Sequence, residues 1–391
     1  MIASPAHERP LLLETVDQLS RQHIAPRAAQ IDASAEFPAD VVRAFAEAGL
    51  LAACVPPAHG GVDIGLLTLM LCVERISRDS ATCGLLLGTF AEASDPLVIG
   101  GSPKLKERLL PLIGRGDAIP CFAVTEPGAG SDAGALRTTA RRDGDRYLLT
   151  GQKLYCSNGT VGDCFSVLAR TEQPGGAPSY TVFLVERGAP GFEIGRSEDL
   201  VGLRGLPATE LSFEDVAVSA DARLGAEGEG FKIAMSMLDL ARLTMCAVAL
   251  GTARASLALA VGHARDRESF GRPLIDHQGV GFMLADRYTD LASAWTLFRQ
   301  AIDAHLERPS RAASTVIAMA KVAATRAATA ATRDAVQVFG GSGLTKDIPV
   351  ERMLRDATAF EVLDGTTQIQ QVIISRRLAK ADAPLHEIGW H

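Results

Sequence analysis

The chain has 391 residues, 47% hydrophobic and 22% charged, with a formal net charge of −7. That length suggests two or three domains with ample apolar material for a core. The absence of a basic block or stripe argues against nucleic acid as a partner. The seven cysteines form no CxxC pair and no zinc-spaced cluster with histidine. They read as small buried residues of a reducing compartment, with no metal site expected. Residues 1–10 carry no apolar signal core, and no uninterrupted apolar run reaches membrane length. The expectation is a cytoplasmic protein without membrane association.

Residues 11–114 read as helices. The run 11–25 is amphipathic and ends near Pro26. Phe37-Pro38-Ala39-Asp40 opens the next helix, whose apolar face continues over 41–51 until Pro56-Pro57 and Gly60-Gly61 break it. Further helices are expected over 66–77, 82–99 and 103–113. The near-continuous apolar run 83–90 implies burial on several sides. At Ile119 the period changes. Residues 121–124 are strand-like, and 139–150 contain Asp143-Gly144, a hairpin turn with 146–149 as the return strand. Strands over 165–170, 180–186 and 210–218 follow, separated by turns such as Gln173-Pro174-Gly175-Gly176. They make a β domain of the barrel or sandwich kind. From Gly228 the helical period returns. The run 231–264 is apolar almost all round, which predicts a central helix; 278–306, 312–339 and 366–379 complete a four-helix bundle. The expected fold is α+β and mostly α: an N-terminal helical domain (1–118), a middle β domain (119–226) and a C-terminal helical bundle (227–391).

Five segments hold residue types that do chemistry. Segment 360–370 begins apolar and β-prone, passes through Asp364-Gly365-Thr366, and continues as a helix carrying Ile369, Val372 and Ile373. A carboxylate at such a junction is either an N-cap or a general base. Segment 125–132, Thr-Glu-Pro-Gly-Ala-Gly-Ser-Asp, follows a strand. Its glycines let backbone approach a ligand, and Thr125 and Ser131 add hydroxyl donors. It suits an anionic, partly planar ligand or is an ordinary turn, and it is neither a GxGxxG nor a P-loop motif. In 151–159, Tyr155 offers a flat face and Ser157 a hydroxyl, ahead of an Asn158-Gly159 turn. The arginines of 265–274 suit a diphosphate, or form a solvated helix end closed by Gly271 and Pro273. Segment 337–343 is a helix C-terminus with exposed backbone.

In order and content these segments resemble the acyl-CoA dehydrogenase family, from the first helices nearly to the C-terminus. The runs 125–132 and 339–370 carry most of the likeness. The resemblance implies a helical domain, a β-barrel and a four-helix bundle, with FAD between barrel and bundle. It implies that Phe122, Val124, Thr125 and Gly130 meet the flavin and that Ser131 bonds a diphosphate oxygen. Tyr155 takes the place of a usual tryptophan beside the ring, and Ser157 that of a threonine reaching N5. Arg267, Ser269, Phe270, Gln337, Gly340 and Gly341 fall where the family binds the ADP half of a neighbouring subunit's FAD. Thr366 and Gln368 match positions that close over the cofactor, and Arg242 a structural arginine beside the catalytic loop.

The implied reaction is α,β-dehydrogenation of an acyl thioester, on CoA or an acyl carrier protein. Asp364 removes the α proton, flavin N5 takes the β hydride, and the Asp364 N–H with a ribityl hydroxyl polarises the thioester oxygen. The implied acceptor is an electron-transfer flavoprotein, and the implied assembly a homodimer or homotetramer. The family more often has glutamate at this base; aspartate is one methylene shorter. The alternative base position, immediately before Arg242, is Ala241, and Glu361 is a weaker candidate. A related branch in polyketide pathways oxidises carrier-bound acyl groups, in one case a glyceryl group at an alcohol carbon. Nitroalkane oxidases carry an arginine seven residues after the base; here that residue is Gln371. A DNA-binding branch is disfavoured by the net charge, and a non-catalytic flavoprotein scaffold is the remaining alternative.

Overall fold

The structure, a computed structural model, describes residues 9–172, 178–307 and 311–379. The turn expected at 173–176 lies outside them. The N-terminal region opens with α1 (Arg9–Leu19), which runs through a π-turn at Ser20–Ile24 into α2 (Ala28–Ser34), and continues with α3 (Ala39–Glu47). Next come α4 (Leu66–Ser77), α5 (Ala81–Gly100) and α6 (Pro103–Gly114). Ser80 caps α5 by accepting from the Cys83 N–H, and Ser102 caps α6 by accepting from the Leu105 N–H. Each satisfies one of the donors that a helix start leaves unpaired. Helix α5 is buried on several sides, with Leu86, Leu87 and Phe90 fully enclosed.

The middle region contains β1 (Pro120–Ala123), β2 (Thr139–Asp143), β3 (Arg146–Ser157), β4 (Cys164–Glu172), β5 (Pro178–Glu186), β6 (Phe192–Ser197), β7 (Ala208–Ser219) and β8 (Arg223–Leu224). The sheet order is β6-β7-β3-β2-β4-β5-β8, with β1 parallel to β4. Tyr147, Phe165, Phe183, Phe192 and Phe213 fill one apolar core enclosed by these strands. Among the described residues β6 and β8 are not paired, so the sheet wraps its core without closing.

The C-terminal region is built on α7 (Gly230–Asp266), α8 (Gln278–Glu307) and α9 (Arg311–Phe339), with α10 (Val350–Phe360) and α11 (Thr367–Leu378) completing it. A short hairpin of β9 (Glu268–Ser269) and β10 (Arg272–Pro273) joins α7 to α8. Helix α7 packs on α9, α4 and α5, so it belongs to the core of both helical regions. At Gly88 of α5 an added Cβ would lie 2.1 Å from Thr244 Cγ2, so only glycine permits this approach of α5 to α7. By length and composition α7 is apolar enough to cross a membrane, with mean hydropathy 1.7 over its most apolar window. Of that window, 72% is buried inside the protein.

The β-prone start expected at Phe360 is instead the last turn of α10. Val350, Met353, Ala357 and Phe360 recur at helical spacing and bury one face. That period overrides local strand propensity.

Candidate active site

The residues of interest converge on a cleft of about 600 Å³, open mouth included. Helix α5 contributes Thr89 and Glu92. The end of β1 contributes Phe122, Val124 and Thr125, and β3 contributes Leu154, Tyr155 and Ser157, with Asn158 just after. Met237 and Leu238 come from α7, and Asp364 from the loop after α10.

Asp364 has φ 54°, a left-handed conformation that aspartate tolerates better than most side chains, and Gly365 follows at φ 88°. A Cβ on Gly365 would meet Gln370 Nε2 at 2.8 Å. The carbonyls of residues 363–365 are all engaged. Lys321 Nζ donates to Leu363 O and, at 2.6 Å, to Gly365 O. Arg242 Nε donates to Asp364 O at 3.4 Å, and Gln370 Nε2 donates to Asp364 O at 3.3 Å and to Gly365 O at 2.8 Å. Arg242 is itself held by Asp239 at 2.6 Å. The Asp364 N–H has no protein acceptor among the described residues.

The N-cap of α11 is Thr366, whose hydroxyl accepts from the Ile369 N–H at 3.3 Å. Asp364 is therefore not the cap, and the capping alternative is overturned. Glu361 is occupied too: its carboxylate accepts from Thr329 at 2.9 Å and from Thr367 at 3.2 Å. Burial pushes the Asp364 carboxyl above its usual range, while Lys321 and Arg242 pull it back. Burial, then Asp364, push Glu92 up to about 8.

The loop after β1 is anchored from beneath. Lys153 is fully buried and donates to Glu126 at 2.7 Å and to Val124 O at 3.0 Å. Glu126 also accepts from the N–H groups of Arg137 and Thr138 at 2.6 and 3.0 Å. This network sets the edge carrying Val124 and Thr125. Above it Tyr155 is 57% exposed at φ 55°, a flat ring turned out of the domain.

Three family profiles match the chain in sequence. They are the acyl-CoA dehydrogenase N-terminal domain over residues 6–117, the middle domain over 121–216 and the C-terminal domain over 228–379. The chain belongs to the acyl-CoA dehydrogenase family. Among its relatives, cyclohex-1-ene-1-carbonyl-CoA dehydrogenase of Syntrophus aciditrophicus (strain SB) is 39% identical, over 95% of this chain and 90% of that protein. Butyryl-CoA dehydrogenase from Megasphaera elsdenii superposes with a TM-score of 0.91 at 31% identity, covering 97% of this chain and 100% of that one. A chain in the structure described as the electron transferring flavoprotein of Acidaminococcus fermentans gives 0.91 at 35% identity, again over 97% and 100%. A prolyl acyl carrier protein oxidase gives 0.91 at 28% identity over the same shares.

As a family member the protein is an FAD-dependent oxidoreductase of the acyl-CoA dehydrogenase type. The cleft fits an isoalloxazine. Phe122, Tyr155 and Leu154 supply flat or apolar surface, and the Thr125 and Ser157 hydroxyls have no protein partner among the described residues. Added Cβ atoms on Gly128 and Gly130 would meet nothing within 4 Å, so that backbone borders open space.

Of the residues expected at the site, Phe122, Val124, Thr125, Tyr155, Ser157 and Asp364 line one cleft. Gly130 and Ser131 lie exposed on the adjoining loop. Thr366 caps α11 and Gln368 faces out, neither lining the cleft. Arg267, Ser269 and Phe270 lie on the β9–β10 hairpin, and Gln337, Gly340 and Gly341 at the end of α9. Within one chain they do not reach the cleft, and Phe270 is 95% exposed. Sequence reasoning missed Lys321, Glu92 and Asn158. A lone lysine in the Ala-rich run of α9 and an acid in the apolar run of α5 were the available signals.

Proposed function

We propose that the protein dehydrogenates the α,β bond of an acyl thioester, with Asp364 as the group that takes the α proton. The carrying observation is a partly buried carboxyl in a left-handed bend, its own carbonyl and those on either side fastened by side chains, lining the same cleft as Tyr155 and Ser157. Proton removal from a weak carbon acid needs a base whose pKa has risen toward the working pH. Burial supplies that rise, and Lys321 and Arg242 limit it. The free Asp364 N–H is the donor for the thioester oxygen, where negative charge develops. Bound FAD supplies the two-electron acceptor. Val124, Thr125, Tyr155 and Ser157 hold its ring, and Ser131 and Gly130 its diphosphate.

The exposed hairpin and α9-end residues, Arg267, Ser269, Phe270, Gln337, Gly340 and Gly341, are assigned to the cofactor of a second copy in a homodimer or homotetramer. Reoxidation is assigned to an electron-transfer flavoprotein; the likeness to the Acidaminococcus fermentans chain supports this. The test is anaerobic mixing of the yellow holoenzyme with short saturated acyl-CoA thioesters. Flavin bleaching is expected in the wild type and its abolition in Asp364→Asn, with FAD absorbance retained. Undiminished bleaching in the variant rejects Asp364 as the base. A second reading, an acyl group tethered to a carrier protein, is favoured by the likeness to the prolyl acyl carrier protein oxidase. Comparing kcat/KM for one acyl group on CoA and on a carrier protein decides between them.

A further inference from the structure

We propose that the cleft selects acyl groups bearing a hydroxyl substituent, and that Glu92 is the residue that binds it. The inference rests on the proposed function, with the Glu92 and Asp364 end of the cleft as the acyl site beside the flavin ring.

An unsubstituted acyl chain needs only apolar walls, and the cleft provides them in Ala93 of α5 and Met237 and Leu238 of α7. Glu92 stands among them as a carboxyl, 8% exposed, lining the cleft from α5 while Asp364 lines it from the bundle. Its Oε1 is buried and has no hydrogen-bond partner among the described residues. Against hydrocarbon such an atom is a penalty, since it has lost water and gained nothing. A second buried acceptor without a partner among the described residues, Asn158 Oδ1, lines the same cleft. The amide is oriented by its other end: Nδ2 donates to Thr89 Oγ1 at 3.1 Å, and Thr89 in turn donates to Leu86 O at 2.7 Å. The cleft therefore offers two fixed acceptors beside its apolar surface, and the ligand that completes it carries a donor.

The kind of donor follows from the charge on Glu92. Burial and the neighbouring Asp364 raise it to about 8, so near neutral pH it is mainly the uncharged acid, with one O–H and one accepting oxygen. A ligand hydroxyl matches the unpartnered Oε1 by donating to it, the Thr244 side chain being the other hydrogen-bonding group on this carboxyl. An ammonium would have to keep Glu92 ionised beside Asp364.

The experiment uses the FAD-loaded enzyme and non-reacting thioether analogues of β-hydroxybutyryl-, γ-hydroxybutyryl-, γ-aminobutyryl- and pentanoyl-CoA, with calorimetry and the flavin spectrum as binding readouts. One hydroxylated analogue is expected to bind about 10- to 100-fold tighter than pentanoyl, the cost of leaving buried acceptors unmet. Glu92→Gln, which keeps an uncharged donor and acceptor, retains that order; Glu92→Leu reverses it. Equal binding in the wild type, an unchanged order in Glu92→Leu, or preference for the amino analogue overturns the proposal. Flavin bleaching by the matching reactive thioesters is scored separately. If the pentanoyl ester bleaches the flavin while binding ignores Glu92, only the hydroxyl selection falls. If no thioester bleaches it, the dehydrogenase reading and this inference fall together.

Discussion

Replacing Lys321 by Met is the sharpest probe of the catalytic loop. The ammonium is 1% exposed and donates to the carbonyls on either side of Asp364. Two hydrogen bonds from a charged donor are worth roughly 3–6 kcal/mol. Against this, burial lowers the Lys321 pKa from 10.5 to about 8, a penalty on the charged form of about 3 kcal/mol. Because the folded value lies below the unfolded one, the penalty is in force below pH 8 and is relieved between pH 8 and 10.5. Met keeps the apolar stem and removes both effects, so the net loss of stability near neutral pH is about 0–3 kcal/mol. The effect on the reaction is larger in kind. Lys321 is the first influence pulling the Asp364 carboxyl down, so without it that group titrates higher. The acidic limb of flavin reduction against pH therefore moves to higher pH, and the rate falls more at pH 6.5 than at pH 8.5. Stopped-flow reduction across that range, with FAD content and denaturant midpoint measured alongside, checks both halves. An acidic limb in the wild-type position, in a folded and FAD-loaded variant, refutes the electrostatic role.

Lys153→Met strands Glu126 under the loop after β1; a loss of 3–5 kcal/mol in urea unfolding and weaker FAD retention on gel filtration are expected. Thr366→Ala costs about 1 kcal/mol by removing the α11 cap, while Asp364→Asn leaves that cap intact; equal losses in the two variants would contradict the assignment. Glu92 is raised in the fold from 4.5 to about 8, so its protonated form is favoured. Its contribution to stability is full below pH 4.5 and is lost as pH rises through 8, with Asp364 and Thr244 the groups that act on it. The wild type therefore loses more stability than Glu92→Gln between pH 5 and pH 8, measurable by denaturation at the two values.

Long periodic elements were legible in the sequence. Residues 66–77 were read as a helix and form α4, and the long bundle helices were placed to within a few residues. Elements made by tertiary contact were not. Helix α2 has seven residues and no side-chain cap, yet it buries Ala28 and Ile31. Strand β6, interrupted by Gly195, exists because β7 pairs with it. At the site, the motif residues around Thr125, Tyr155 and Asp364 were visible because their composition departs from ordinary strand or helix. Lys321 and Glu92 were not, because each sits in a stretch whose pattern announces only burial. What makes them functional is the partner brought to them from more than 40 residues away, the loop at 363–365 for one and the cleft for the other. The capping alternative for Asp364 failed for a local reason: two residues later Thr366 offers a hydroxyl at the helix start, and Asp364 is already turned into a left-handed bend.

Glu92 and Asp364 belong to helical regions at opposite ends of the chain, and α5 meets the bundle mainly through α7. What the pocket welcomes and how it reacts are therefore written in separate stretches of the gene. Changes along one face of α5 can retune appetite for new acyl groups while the chemistry is inherited intact, a division of labour under which one scaffold diversifies without relearning its reaction.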